Sequence, residues 1–142
     1  MTLKIRLLAG AALLLFAVET TAYTVNGERK SFEIHRTDSP PVIDGKLDDE
    51  VWQRTALIDD FHQTSPTDGA QPTEQTIVRV TYDDEYLYIA DKLRDSEPGA
   101  IQAKQMIQGK MLYSDDRFWV TVESFNNKRK DYFFQVNANG VR

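Results

Sequence analysis

The chain has 142 residues, no cysteine, and 17 basic against 22 acidic side chains, for a net charge of −5. Lack of cysteine excludes disulfides, thiolate metal ligands and cysteine nucleophiles together. The acidic balance disfavours nucleic acid, whose phosphates demand a basic face, and a peripheral hold on anionic lipid, so a neutral partner suits the surface better.

Residues 1–22 read as an export signal. Lys4 and Arg6 give a positive start, residues 7–18 are an apolar stretch, and Thr20-Thr21-Ala22 supplies small residues suited to cleavage. Twelve apolar residues fall short of the roughly 20 that a spanning helix needs, so no transmembrane helix is expected in the mature chain. The mature part divides into a lead with a first strand, residues 23–37, and one domain, residues 38–142.

Within that lead, residues 31–36 alternate, with Phe32 and Ile34 on one face, and predict a strand. The segment PPVIDGKLDDEVW, residues 40–52, follows. Its prolines hold the backbone extended, and Asp44-Gly45 is a turn signal. Three acids at 48–50 suit the positive end of a short helical turn anchored by Val51 and Trp52. Trp52 reads as a core residue that closes the fold. Residues 56–63 predict a strand carrying Leu57, Ile58 and Phe61, and Pro66, Gly69 and Pro72 mark residues 65–75 as loop.

The strongest local signal is a hairpin over residues 76–94. Val78, Val80 and Tyr82 share one face by period two, Asp83-Asp84-Glu85 turns the chain, and Leu87 and Ile89 return opposite Tyr86 and Tyr88. A short helix is expected over residues 100–108, between Gly99 and Gly109. A second hairpin joins residues 116–123 to 130–137, and residues 137–142 read as the turn after its last strand, with nothing to complete the sheet. The predicted fold class is all-β: an antiparallel β-sandwich, truncated at its C-terminal end, with one or two short helices.

Three blocks in this order, PPVIDGKLDDEVW, VRVTYDDEYLYI (78–89) and DDRFWVTVE…YFFQVNANG (115–140), resemble a carbohydrate-binding module of family 9. The similarity is greatest to the variant at the N-terminus of large exported bacterial proteins of poorly defined activity, and it covers nearly everything after residue 38. It implies a sugar-binding sandwich, often calcium-bearing and usually joined to other domains.

Sugar recognition needs a flat aromatic face against the C–H face of a ring, with amides, carboxylates or arginine for its hydroxyls. In the second hairpin Tyr113 and Trp119 supply aromatic faces, while Asp116, Arg117, Gln135 and Asn137 supply polar groups. Trp119 lies opposite Phe118 and Val120, and Phe133, Gln135 and Asn137 share a face. The predicted ligand-binding set is therefore Tyr113, Asp116, Trp119, Gln135 and Asn137. The resemblance places the stacking aromatic and the polar grip near Tyr113, Asp116, Trp119 and Gln135. This chain departs from it with Leu112-Tyr113 where sugar-binding members have Trp, and Gln135 where they have Arg.

The acidic turns 83–85, 95–97 and 115–116 offer hard oxygen ligands without the spacing of a dedicated calcium loop, and Asp in turns ordinarily caps backbone amides. The resemblance adds a structural calcium, for which Asp83, Asp84 and Asp95 are the candidates; no cofactor is otherwise required. No nucleophile elbow, phosphate loop or zinc pair occurs, and the only histidines are His35 and His62. Adjacent Asp115 and Asp116 would point to opposite sides of a strand, a poor catalytic pair.

The sequence thus predicts a non-catalytic saccharide-binding domain of an exported protein, assisting polysaccharide capture or degradation in the periplasm, at the outer membrane or outside the cell. Its partners would be a saccharide and the C-terminal domain of a longer protein, where any O-glycosyl hydrolase activity would reside. The alternatives are a structural or interaction domain docking on a downstream outer-membrane barrel, and an accessory domain of a glycoside hydrolase.

Overall fold

A computed structural model describes residues 2–6, 30–125, 127 and 129–142. The chain forms two compact units, Met1–Asp95 and Ser96–Arg142. Among the described residues every strand pairing is antiparallel, and the only helical pieces are one four-residue helix and one 3-10 turn, so the all-β reading holds.

The first unit is a four-stranded sheet in the order β1-β4-β3-β2, built from β1 Thr2–Arg6, β2 Ala56–Ile58, β3 Thr76–Tyr82 and β4 Tyr86–Leu93. The expected β3–β4 hairpin forms, with Val80 opposite Ile89 and Tyr82 opposite Leu87. Asp83 sets its turn. One carboxylate oxygen accepts the amides of Glu85 at 2.8 Å and Tyr86 at 2.7 Å, and the other accepts the Tyr88 hydroxyl at 2.6 Å. That hydroxyl is the main reason the Asp83 pKa lies below the usual carboxylate range.

The segment before the hairpin supplies the plug that its pattern predicts. Gly45 takes φ +85°, a conformation that a side chain would strain, and the Asp44 carboxylate accepts the Lys46 amide at 2.9 Å. Helix α1, Glu50–Gln53, then delivers Trp52, which is 1% exposed and clusters with Tyr88 and Ala90 of β4, with Leu47, Val51 and Tyr86 packed around them. The Trp52 carbonyl accepts Arg79 Nη1 at 2.5 Å and the Thr55 hydroxyl at 3.1 Å, fixing α1 to β3.

Two expectations are corrected here. Residues 31–36 form no strand; they meet the sheet at an isolated parallel bridge, Arg36 to Tyr82, where the His35 carbonyl accepts the Thr81 hydroxyl at 2.8 Å and the Thr37 amide donates to the Tyr82 carbonyl at 2.8 Å. Their alternation survives as half-buried Phe32 and Ile34 between exposed neighbours, so the pattern reports packing without a ladder. The strand expected at 56–63 stops at Ile58. Residues 2–6, which the sequence assigns to the leader, pair with β4 from Thr2 opposite Ala90 to Arg6 opposite Tyr86. The rest of that leader lies outside the described residues, among which no helix is long and apolar enough to cross a membrane.

The second unit is a two-stranded sheet, β5 Arg117–Val122 with β6 Tyr132–Asn137, preceded by an irregular loop. Residues 100–108 do not form the expected helix; only the 3-10 turn Pro98–Ala100 is helical. The reason is competition for the backbone donors. Asp116 takes the Gln102 amide at 2.8 Å, and Asp115 takes the amides of Lys104 at 3.2 Å and Gln105 at 3.0 Å. Amides held by carboxylates are withdrawn from an i to i−4 ladder.

Truncating Trp52 to Ala removes the centre of the first core and is expected to cost about 3–5 kcal/mol. Chemical denaturation followed by circular dichroism, with m compared between the two proteins, checks this.

Candidate functional site

The β5–β6 register puts Trp119 opposite Gln135, Arg117 opposite Asn137, and Thr121 opposite Phe133, all six on one face. Phe118, Val120, Val122, Tyr132, Phe134 and Val136 take the other. On the first face Trp119 is 53% exposed and its ring lies 6.1 Å from that of Phe133, tilted by 45°. Tyr113, just ahead of β5, is 76% exposed. Between Tyr113 and Trp119 sits the Arg117 guanidinium, its carbon 5.3 Å from the first ring centroid and 4.8 Å from the second. Both distances are within cation–π range.

Two polar atoms on this face are enclosed without a hydrogen-bond partner, Arg117 Nη1 and Gln135 Oε1. Leaving such groups unmade costs roughly 1–3 kcal/mol each. The Gln135 amide nitrogen meanwhile donates to the Lys110 carbonyl at 3.3 Å. Exposed aromatic faces beside half-buried Arg117 and Gln135 can stack on a flat apolar surface, and a ligand whose hydroxyls draw either side chain outward would give these unsatisfied groups a partner.

Of the predicted set, Tyr113, Trp119 and Gln135 are brought together here, with Arg117 and Phe133 joining them. Both additions follow from the period-two count that places Trp119: Arg117 lies two residues before it, and Phe133 two residues before Gln135. Asn137 and Asp116 work elsewhere. The Asn137 amide nitrogen donates to Gln105 O at 3.0 Å and Asp115 Oδ2 at 2.8 Å, and its oxygen accepts the amides of Asn139 and Val141, each at 3.0 Å. All four of its hydrogen-bonding positions are filled. The Asp116 carboxylate holds the Gln102 amide, and its own amide donates to the Gln102 carbonyl at 2.7 Å. These two side chains build the loop that precedes the site.

The calcium candidates are similarly occupied. Asp83 caps its own turn, as described above. Asp84 receives the Arg36 guanidinium through Nε at 3.1 Å and Nη2 at 2.8 Å, and the same guanidinium also pairs with Asp38. Asp95 is not drawn to them: among the described residues no group of three or more His, Asp or Glu side chains converges.

The sequence model described as the carbohydrate family 9 binding domain-like family matches residues 43–141, and the chain belongs to that family. No curated protein and no solved structure matches the chain. The matched span contains α1, β2 to β6 and the whole aromatic face.

The Asn137 amide is the main cause of the lowered Asp115 pKa. A carboxylate whose folded pKa is depressed contributes stability above its unfolded value, near 4, and loses it as pH falls through the folded value. Asn137→Ala is therefore expected to destabilise the second unit by about 2–4 kcal/mol at pH 7, since it strands buried groups. It should also move acid unfolding of that unit to higher pH. The indole NMR signal of Trp119, followed against urea and against pH, reads both effects.

Proposed function

We propose that this domain of the carbohydrate family 9 binding domain-like family holds saccharides on the outer face of the β5–β6 hairpin. Trp119 and Tyr113 would stack on the C–H faces of sugar rings, and Arg117 and Gln135 would meet the hydroxyls. The observation that carries this reading is the pair of exposed rings, Trp119 and Tyr113, with the Arg117 guanidinium over both. A core residue would bury its indole as Trp52 does, and a solvated strand would leave its polar atoms to water. Nothing on this face supplies a nucleophile or an acid–base pair, which fits binding rather than turnover. The leader-like residues 1–22 support export, and in an exported protein the domain would tether a polysaccharide for chemistry performed by another part of the chain or by a partner.

Binding of a small sugar surface by two rings and two polar groups should be modest, near micromolar or weaker, about −8 kcal/mol at most. Trp119→Ala should weaken saccharide binding by about tenfold or more with unchanged circular dichroism, as expected of an aromatic anchor. Affinity electrophoresis against soluble polysaccharides, followed by calorimetry on those that retard the protein, tests this. An unfolded variant, or unchanged retardation by every polysaccharide that binds, would return the face to a purely architectural role.

A further inference from the structure

The net charge of −5 conceals a partition. Residues 1–95 carry ten lysines and arginines against seventeen carboxylates, whereas residues 96–142 carry seven against five, a net of +2. The aromatic face belongs wholly to the cationic unit, and Arg117 is the charge at its centre.

The acids next to Arg117 in sequence are engaged elsewhere. Asp115 binds Asn137 and two loop amides, and Asp116 binds the Gln102 amide. Among the described residues no ion pair involves Arg117, while Arg36 and Arg54 both have carboxylate partners. Two aromatic rings hold the guanidinium in place instead, so its planar fork of donors is oriented without being neutralised. An arginine pre-set in this way favours a planar or tetrahedral anion, which it can engage through two parallel hydrogen bonds.

We infer that the site prefers acidic saccharides, with the anionic substituent of the sugar, carboxylate or sulfate, docking on Arg117 while the ring stacks on Trp119. This inference rests on the saccharide-binding reading and refines it. The overall negative charge opposes it only weakly, because exposed charges beyond about 8 Å are largely screened at physiological ionic strength.

Calorimetry on the full chain with matched pairs separates the two levels: glucuronate against glucose, galacturonate against galactose, mannuronate against mannose, and galactose 6-sulfate as a sulfate arm. The expected result is at least one acidic sugar bound about tenfold tighter than its neutral partner. That preference should fall with added NaCl, disappear in Arg117→Gln, and be only partly kept in Arg117→Lys. A sulfate preferred over the carboxylates would support the anionic class and assign it to sulfate. Neutral sugars bound as well as their acidic partners, with Arg117→Gln altering both alike, would overturn this inference and leave saccharide binding intact. If neither kind bound, and no polysaccharide retarded the protein, both readings would fall. Arg117→Lys, which keeps the charge and most of the stem, shows whether a loss in Arg117→Gln comes from misfolding.

Discussion

The buried hydrogen bond from the Asn137 amide to the Asp115 carboxylate, 2.8 Å long, is the contact on which the binding face depends. Residues 101–108 have no regular backbone partner and are mostly exposed, so the shape of the loop rests on the few amides that side chains hold. Asp115 takes two of them, and Asn137 joins that carboxylate to Gln105 and to the turn after β6. Tyr113 and Arg117 are each two residues from Asp115. Fixing the acid therefore fixes where the stacked guanidinium lies relative to Trp119.

Size makes this polar clamp more important than it would be in a larger unit. A two-stranded sheet alone is marginal in water, and the second unit buries few large apolar groups, Leu112, Val136 and Val141 among them. Asn137 at the end of β6 and Asp115 before β5 close the hairpin at its open end, the end that carries Leu112, Val136 and Val141. Asp83 does the same for the β3–β4 turn, where a short side chain satisfies two amides and a tyrosine hydroxyl. In both units apolar alternation fills the layers and aspartate sets the turns. The difference is that the first unit also has Trp52 beneath its sheet, so its turn is less decisive.

Period two made the hairpins legible. Counting in twos along each strand puts Val78, Val80 and Tyr82 on one face and Trp119 on the face of β5 away from Phe118 and Val120, and Gly45 with Trp52 marked the plug. Residues 31–36 misled because alternation records which side chains are half-buried and is silent on whether a neighbouring strand lies within hydrogen-bonding reach. Residues 100–108 misled because helix propensity is local, whereas the carboxylates that take their amides come from residues 115 and 116. The same blindness put Asn137 among the ligand groups. Its strand face is right, but its amide is spent on partners up to 32 residues away, which no spacing along one strand discloses.

The two tryptophans show what the fold reserves for binding. Each stands shortly after a run of acids and directly after an apolar residue, yet Trp52 is 1% exposed and Trp119 is 53% exposed. The difference arises from register: α1 aims Trp52 at β4, while the pleat turns Trp119 away from Phe118 and Val120. An indole left in water forgoes burial energy that a core position would collect. Exposed aromatics clustered on a strand also invite unwanted association. Here a guanidinium inserted between two rings covers part of their faces with a hydrated charge. Such a face resists apolar partners, which would strip that charge of water, and accepts a ligand that brings hydroxyls or an anion to it. The forgone burial is thus retained as a driving force for a polar-rimmed ring, the surface that a saccharide presents.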